Sequence, residues 1–235
     1  MSDSNSNSSE SHSPGERIST VETSVATSEL NEDQALSLLK TSDINANTLA
    51  EVARNPATLK RRKVMLALVS HSRTPRHISI PLLRRMFTFD LMQVTLTPAV
   101  AADIKRAAEE QILLRSESLS LGEKISLARR GPGRVAAALL NENDTRVVSV
   151  ALDNARLLEA SVVRAIMKPD AAQLVYDLVS EHPKWSQRRE VQIALLRSEK
   201  TPLERAKEFA LHFSPEFLQE IVPEGRRSEF FSDLE

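Results

Sequence analysis

The chain repeats itself, and that repetition narrows the folds open to it more than any single motif does. Displaced by 127 residues, it brings Pro56 onto Pro183, Arg61 onto Arg188, Arg62 onto Arg189 and Val64 onto Val191. Ala67 then meets Ala194, Leu68 meets Leu195, and Thr74-Pro75 meets Thr201-Pro202, all without a gap. With a slip of one residue, Phe87 and Gln93 continue onto Phe213 and Gln219. A shorter unit lies inside this one. Arg-x-Val-x-x-Ala-Leu stands at Arg62, Val64, Ala67, Leu68, again at Arg146, Val148, Ala151, Leu152, and again at Arg189, Val191, Ala194, Leu195. Ile104, Ala107 and Ala108 form a degenerate copy. The valine-equivalent positions 64, 104, 148 and 191 are spaced by 40, 44 and 43, a period that fits a two-helix unit. Val, Ala and Leu at i, i+3 and i+4 make one stripe of a helix, and Ala lets a neighbouring helix approach closely. One helix pair cannot cover such a stripe, so units of this kind stack.

The expected fold class is therefore all-α: a short α-solenoid of about four helix pairs over residues 34–222. Apolar residues keep three- and four-residue spacing from Gln34 onward, and no stretch sustains the alternation of a strand. Thr74-Pro75, Thr97-Pro98, Thr201-Pro202 and Ser214-Pro215 each read as a hydroxyl N-cap followed by proline in the first helical position. Thr48 with Glu51, Ser120 with Glu123 and Thr201 with Glu204 have the spacing of a capping box. Arg115 to Gly122 reads as a polar joint between two halves of the array, and Gly131-Pro132-Gly133 as a sharp turn. Residues 1–33 are Ser-rich and carry seven acids against Arg17 alone, a net charge of −6, so the remainder of a chain whose total is −1 carries +5. This segment is expected to be a disordered acidic tail. Residues 223–235 are expected to be a C-terminal tail or a cap over the last repeat.

The segment Asn143-Asp144-Thr145-Arg146-Val147-Val148, with Ala151-Leu152 after it, resembles the second helix of bacterial HEAT-like repeats, in which an Asp and an Arg precede the apolar stripe. The Asn55-Pro56, His182-Pro183 and Thr-Pro punctuation is similar to that of leucine-rich repeat variant proteins. The likeness covers roughly residues 34–222. It implies a curved scaffold with a concave binding face and no particular ligand. The variant family's cysteine-bound iron–sulphur segment has no counterpart, because the chain contains no cysteine.

Catalytic signatures are missing. None of His12, His71, His77, His182 and His212 falls in a zinc-binding spacing, and there is no nucleophile elbow, Walker loop or dinucleotide fingerprint. The expectation is a protein that is not an enzyme and needs no cofactor or metal. An alkylpurine DNA glycosylase on a HEAT-like scaffold is disfavoured, since one Trp and one Tyr offer little to hold a damaged base.

The candidate partner-binding residues are basic and mostly clustered: Arg61 and Arg62, their equivalents Arg188 and Arg189, the turn residues Arg129, Arg130 and Arg134, and Lys184 beside the only tryptophan, Trp185. A stripe of arginines recurring on corresponding helices suits phosphates or an acidic peptide. The other reading is that they pair with acids on neighbouring repeats. Arg129 to Arg134 surrounds a helix start that could hold an anion or serve only as a turn. Trp185 is either an exposed interface anchor or a seal between helices. The functional expectation is a scaffold or adaptor for protein–protein interaction; the alternative is sequence-nonspecific nucleic-acid or phosphate binding through the arginine pairs. No apolar run is long enough to span a membrane and no secretory signal opens the chain, so the expected location is cytoplasmic.

Overall fold

In the computed structural model, the structure describes residues 31–41 and 43–231. Of the expected tail at residues 1–33, residues 1–30 lie outside this range, as do the last four residues of the chain. Asn31 instead caps the first helix, and Glu32 and Asp33 form its first turn, where the helix dipole favours acids. The described residues form sixteen α-helices and no strand. In chain order these are α1 (Glu32–Leu39), α2 (Ala46–Arg54), α3 (Pro56–Leu59), α4 (Arg62–Ser70), α5 (Arg76–Leu83), α6 (Thr88–Leu96), α7 (Ala102–Leu114) and α8 (Leu121–Arg130). They continue as α9 (Gly133–Leu139), α10 (Thr145–Leu152), α11 (Glu159–Ile166), α12 (Gln173–Glu181), α13 (Arg189–Leu196), α14 (Leu203–Ala210), α15 (Pro215–Ile221) and α16 (Glu224–Phe231). None of them is long and apolar enough to cross a membrane.

The 127-residue recurrence reappears in the helix bounds. α1, α2 and α5, moved along by that interval, coincide residue for residue with α11, α12 and α14, and α4 coincides with α13 at its start. α6 coincides with α15 at its start as well, although the Phe87 and Gln93 matches in the sequence need a one-residue slip. The packing follows the same correspondence: α4 rests on α1 and α5, and α13 rests on α11 and α14. Side-chain bonds recur too. The Thr74 hydroxyl donates to the Leu68 carbonyl at 2.6 Å, and the Thr201 hydroxyl donates to that of Leu195 at 2.6 Å. Asn55 accepts from the Ala57 N–H at 2.9 Å, and His182 Nδ1 accepts from the equivalent Lys184 N–H at 3.2 Å.

Many helices pack on the next but one in the chain: α5 on α7, α7 on α9, α9 on α11 and α11 on α13, and likewise α4 on α6, α8 on α10 and α10 on α12. The core between them is aliphatic. Val64 and Leu68, Val148, Ala151 and Leu152, and Val191, Ala194 and Leu195 are all buried, as are Ile104 and Ala108 of the degenerate copy. The helices are short, so tertiary burial of this stripe, more than propensity, holds them.

Several expected helix starts need correction. Pro75 and Pro202 occupy the N-cap of α5 and α14, not the first helical position, and neither cap has a side-chain bond. Thr74 and Thr201 act backwards: their hydroxyls satisfy carbonyls near the end of the preceding helix, where the last turn leaves acceptors without N–H partners. Thr58 does the same for Val52 at 2.8 Å. Thr97 closes α6 by donating to Gln93 and precedes α7 by several residues. Thr48 lies inside α2, whose cap is Asn45. Ser214 and the Ser120–Glu123 box do cap their helices as expected, and Asn31 with Gln34 forms a further box on α1.

Between α7 and α8 a 3-10 turn spans Ser116–Ser118. Arg115 ties this stretch down by donating to the carbonyls of Met86 at 2.6 Å and Arg84 at 2.8 Å. At the other end, Phe230 of α16 is buried and Arg226 donates to the Thr201 carbonyl at 2.7 Å.

Candidate binding groove

The sequence-selected residues fall at two helix starts, one interhelical turn and one buried ring. Arg61 and Arg188 are the N-caps of α4 and α13, with Arg62 and Arg189 directly after them. A cation there faces the positive end of the helix dipole and gains from a compensating partner. Arg62 Nε donates to Asp90 at 2.7 Å, and its guanidinium lies 5.0 Å from the Phe87 ring centre. Asp90 is buried, and its hydrogen bond and charge raise the Arg62 pKa above its ordinary value. Arg61 lies 3.8 Å from Glu32. Arg189 stacks over Phe213 at 4.8 Å and Phe217 at 6.0 Å. Arg188 alone of the four makes no side-chain contact of this kind among the described residues.

Trp185 is 1% exposed, and its indole N–H donates to the Leu152 carbonyl at 2.8 Å. It therefore seals helices together and is not an exposed anchor. Lys184 is exposed, its ammonium 4.0 Å from the centre of that ring.

Arg129 and Arg130 close α8, where a cation meets the favourable end of the dipole, and both are exposed. Arg134 sits 3.7 Å from both Glu109 and Glu110 of α7. Burial pushes the Glu109 carboxyl above its usual range, against the opposing pull of Arg134 and Arg106. The start of α9 is not a ready anion cradle: α9 has seven residues, and the N–H groups of Val135 and Ala136 already donate to the Pro132 carbonyl.

What the structure builds around Arg134 is a groove of about 650 Å³ between α9 and α11. α9 contributes Arg134, Ala137 and Ala138, and α11 contributes Ser161, Arg164 and Ala165. Asn141 and Lys168 continue the two stripes just beyond the helix ends. The i, i+3, i+4, i+7 spacing on both helices sets these side chains on facing sides. The loop before α11 adds Arg156 and Leu158, the latter 66% exposed. The lining thus holds four cations, a floor of small apolar residues, and no acid or aromatic residue.

Local chemistry fixes the loop that carries Arg156. Buried Asn154 donates to the carbonyls of Ala128 at 2.6 Å and Gly131 at 3.2 Å, and accepts from the Arg156 N–H at 2.8 Å. Gly133 lets the chain come this close, since a Cβ there would run into the Arg156 carbonyl oxygen. Arg164 is braced by donating to the Ala160 carbonyl at 3.1 Å and the Ser161 hydroxyl at 3.3 Å. Arg156 and Lys168 are exposed and make no ion pair among the described residues.

Sequence reading singled out Arg134 and missed Arg156, Arg164 and Lys168. The signal was present as Arg-x-x-Ala-Ala-x-x-Asn at 134–141 and Ser-x-x-Arg-Ala-x-x-Lys at 161–168, polar and small stripes beside the aliphatic one. Among the described residues, no group of three or more His, Cys, Asp or Glu is placed to hold a metal ion. No protein-family model, curated protein or solved structure matches the chain.

Proposed function

We propose that the chain is a HEAT-like helical-repeat scaffold that binds a partner protein and carries out no chemistry of its own. The observation that supports this is the recurrence of whole helices at a fixed interval, with equivalent helices packed on equivalent neighbours: α4 on α1 and α5, α13 on α11 and α14. Such an array gains a core by stacking and leaves long faces for binding. The basic groove between α9 and α11 is one candidate for such a face.

The alternative, nucleic-acid or phosphate binding through the arginine pairs, draws on the exposed Arg129, Arg130 and Arg188. Against it stand Arg61, Arg62 and Arg189, whose guanidinium groups already lie on acids or aromatic rings. Affinity purification of the full chain from its own cell lysate, with and without nuclease and at low and moderate salt, separates the two. A stoichiometric protein that survives both treatments is the expected result. Nucleic acid that elutes as salt rises would favour the alternative, since phosphate contacts release counterions.

A further inference from the structure

We infer that the α9–α11 groove holds a short, extended, acidic segment of the partner polypeptide. This assignment rests on the scaffold reading above and says what the scaffold grips. Charge complementarity carries it: Arg134, Arg156, Arg164 and Lys168 surround a groove whose lining includes no acid. Arg156, Arg164 and Lys168 make no ion pair among the described residues, so an incoming carboxylate meets charges that are not already neutralised.

The floor of Ala137, Ala138 and Ala165 is narrow and apolar, and exposed Leu158 stands at its rim. A peptide with an apolar side chain beside its acids can bury that side chain there. A nucleic acid would want an aromatic platform for its bases, and the lining has none. α9 has seven residues, about 10 Å at ~1.5 Å per residue, a length an extended chain covers in about three residues. The segment must therefore carry neighbouring acids. The chain's own N-terminal acids Asp3, Glu10, Glu16, Glu22 and Glu29 are six or seven residues apart and would enter one at a time. A partner with paired acids fits better.

The test uses the full chain and a labelled twelve-residue peptide with two Glu-Glu doublets, each next to a Leu, followed by fluorescence anisotropy at low salt. R156E/K168E reverses two exposed charges in the groove, and R129E/R130E makes the same charge change outside it. Far-UV circular dichroism checks that both variants fold. The expected result is roughly tenfold weaker peptide binding for R156E/K168E and less than twofold for R129E/R130E, from two attractive contacts turned repulsive. Equal loss in both variants, no binding by the parent chain, or tighter groove-dependent binding of a single-stranded oligonucleotide or inorganic phosphate would overturn the assignment. If R156E/K168E still retains the same lysate protein as the parent chain, the groove assignment falls and the scaffold reading stands. If neither retains any, the scaffold reading falls with it.

Discussion

The two blocks related by the 127-residue interval share their helices and the Thr74 and Thr201 contacts, but differ in other side chains that lock them. In the first block, buried Thr58 hydrogen-bonds back to Val52; at the equivalent position the second block has Trp185, filling its core and reaching Leu152 instead. In the first, Arg62 pairs with buried Asp90 beside Phe87; in the second, Arg189 lies over Phe213 and Phe217. Helix length and the aliphatic stripe are what stacking needs, and they recur. The anchor at each helix start only has to satisfy a cation, and either a carboxylate or an aromatic face can do so. The segment between the blocks, with α9 and the Gly131-Pro132-Gly133 turn, belongs to neither copy and forms much of the groove.

Substitutions at these equivalent positions should separate in size. W185A is expected to cost about 3–5 kcal/mol, from a cavity and a lost indole bond, while T58A costs roughly 1–2 kcal/mol from a single unsatisfied carbonyl. Urea denaturation of the two variants measures the gap, and equal losses would break the comparison. N154A comes next, at roughly 1–3 kcal/mol, because it strips buried bonds from the turn. It should also weaken acidic-peptide binding by releasing Arg156, whereas T58A should leave that binding unchanged.

Smaller effects sharpen the contrast at the helix starts. R62A leaves the Asp90 carboxylate buried without its partner, and R189A only uncovers aromatic rings. The thermal midpoint should fall further for R62A, and the reverse order would show that the second pair is the structural one. The smallest difference is one of pH. Ser120 donates its N–H and hydroxyl to Glu123, holding that carboxyl below its usual range, while the matching box on α1 uses the uncharged Gln34. A depressed folded pKa stabilises above the ordinary carboxylate pKa and loses that contribution as pH falls through the folded value. E123Q should therefore flatten the acid side of the stability profile, and Q34E should steepen it.

Much of the architecture was legible because it depends on periodicity. The Val-Ala-Leu stripe marks helices and the long interval marks equivalent ones, and both follow from burial of one face. The Thr-Pro pairs were legible as boundaries but misleading in direction, since a threonine hydroxyl can cap forward or close the helix behind it, and local sequence does not decide which. Clusters such as Arg61-Arg62 drew attention because they are adjacent in sequence, yet adjacent residues on a helix do not share a face. Arg134, Arg156, Arg164 and Lys168 come together from two helices and a loop as isolated charges. Only the packing of α9 on α11 and the Asn154-braced loop assembles them.

The most direct test of this account is hydrogen exchange of the full chain with and without the doublet-bearing acidic peptide. The account predicts slowed exchange confined to 134–141 and 154–168, with the starts of α4 and α13 unchanged. Protection at 61–65 and 188–192, with none between α9 and α11, would contradict it and return the arginine pairs to the centre of function.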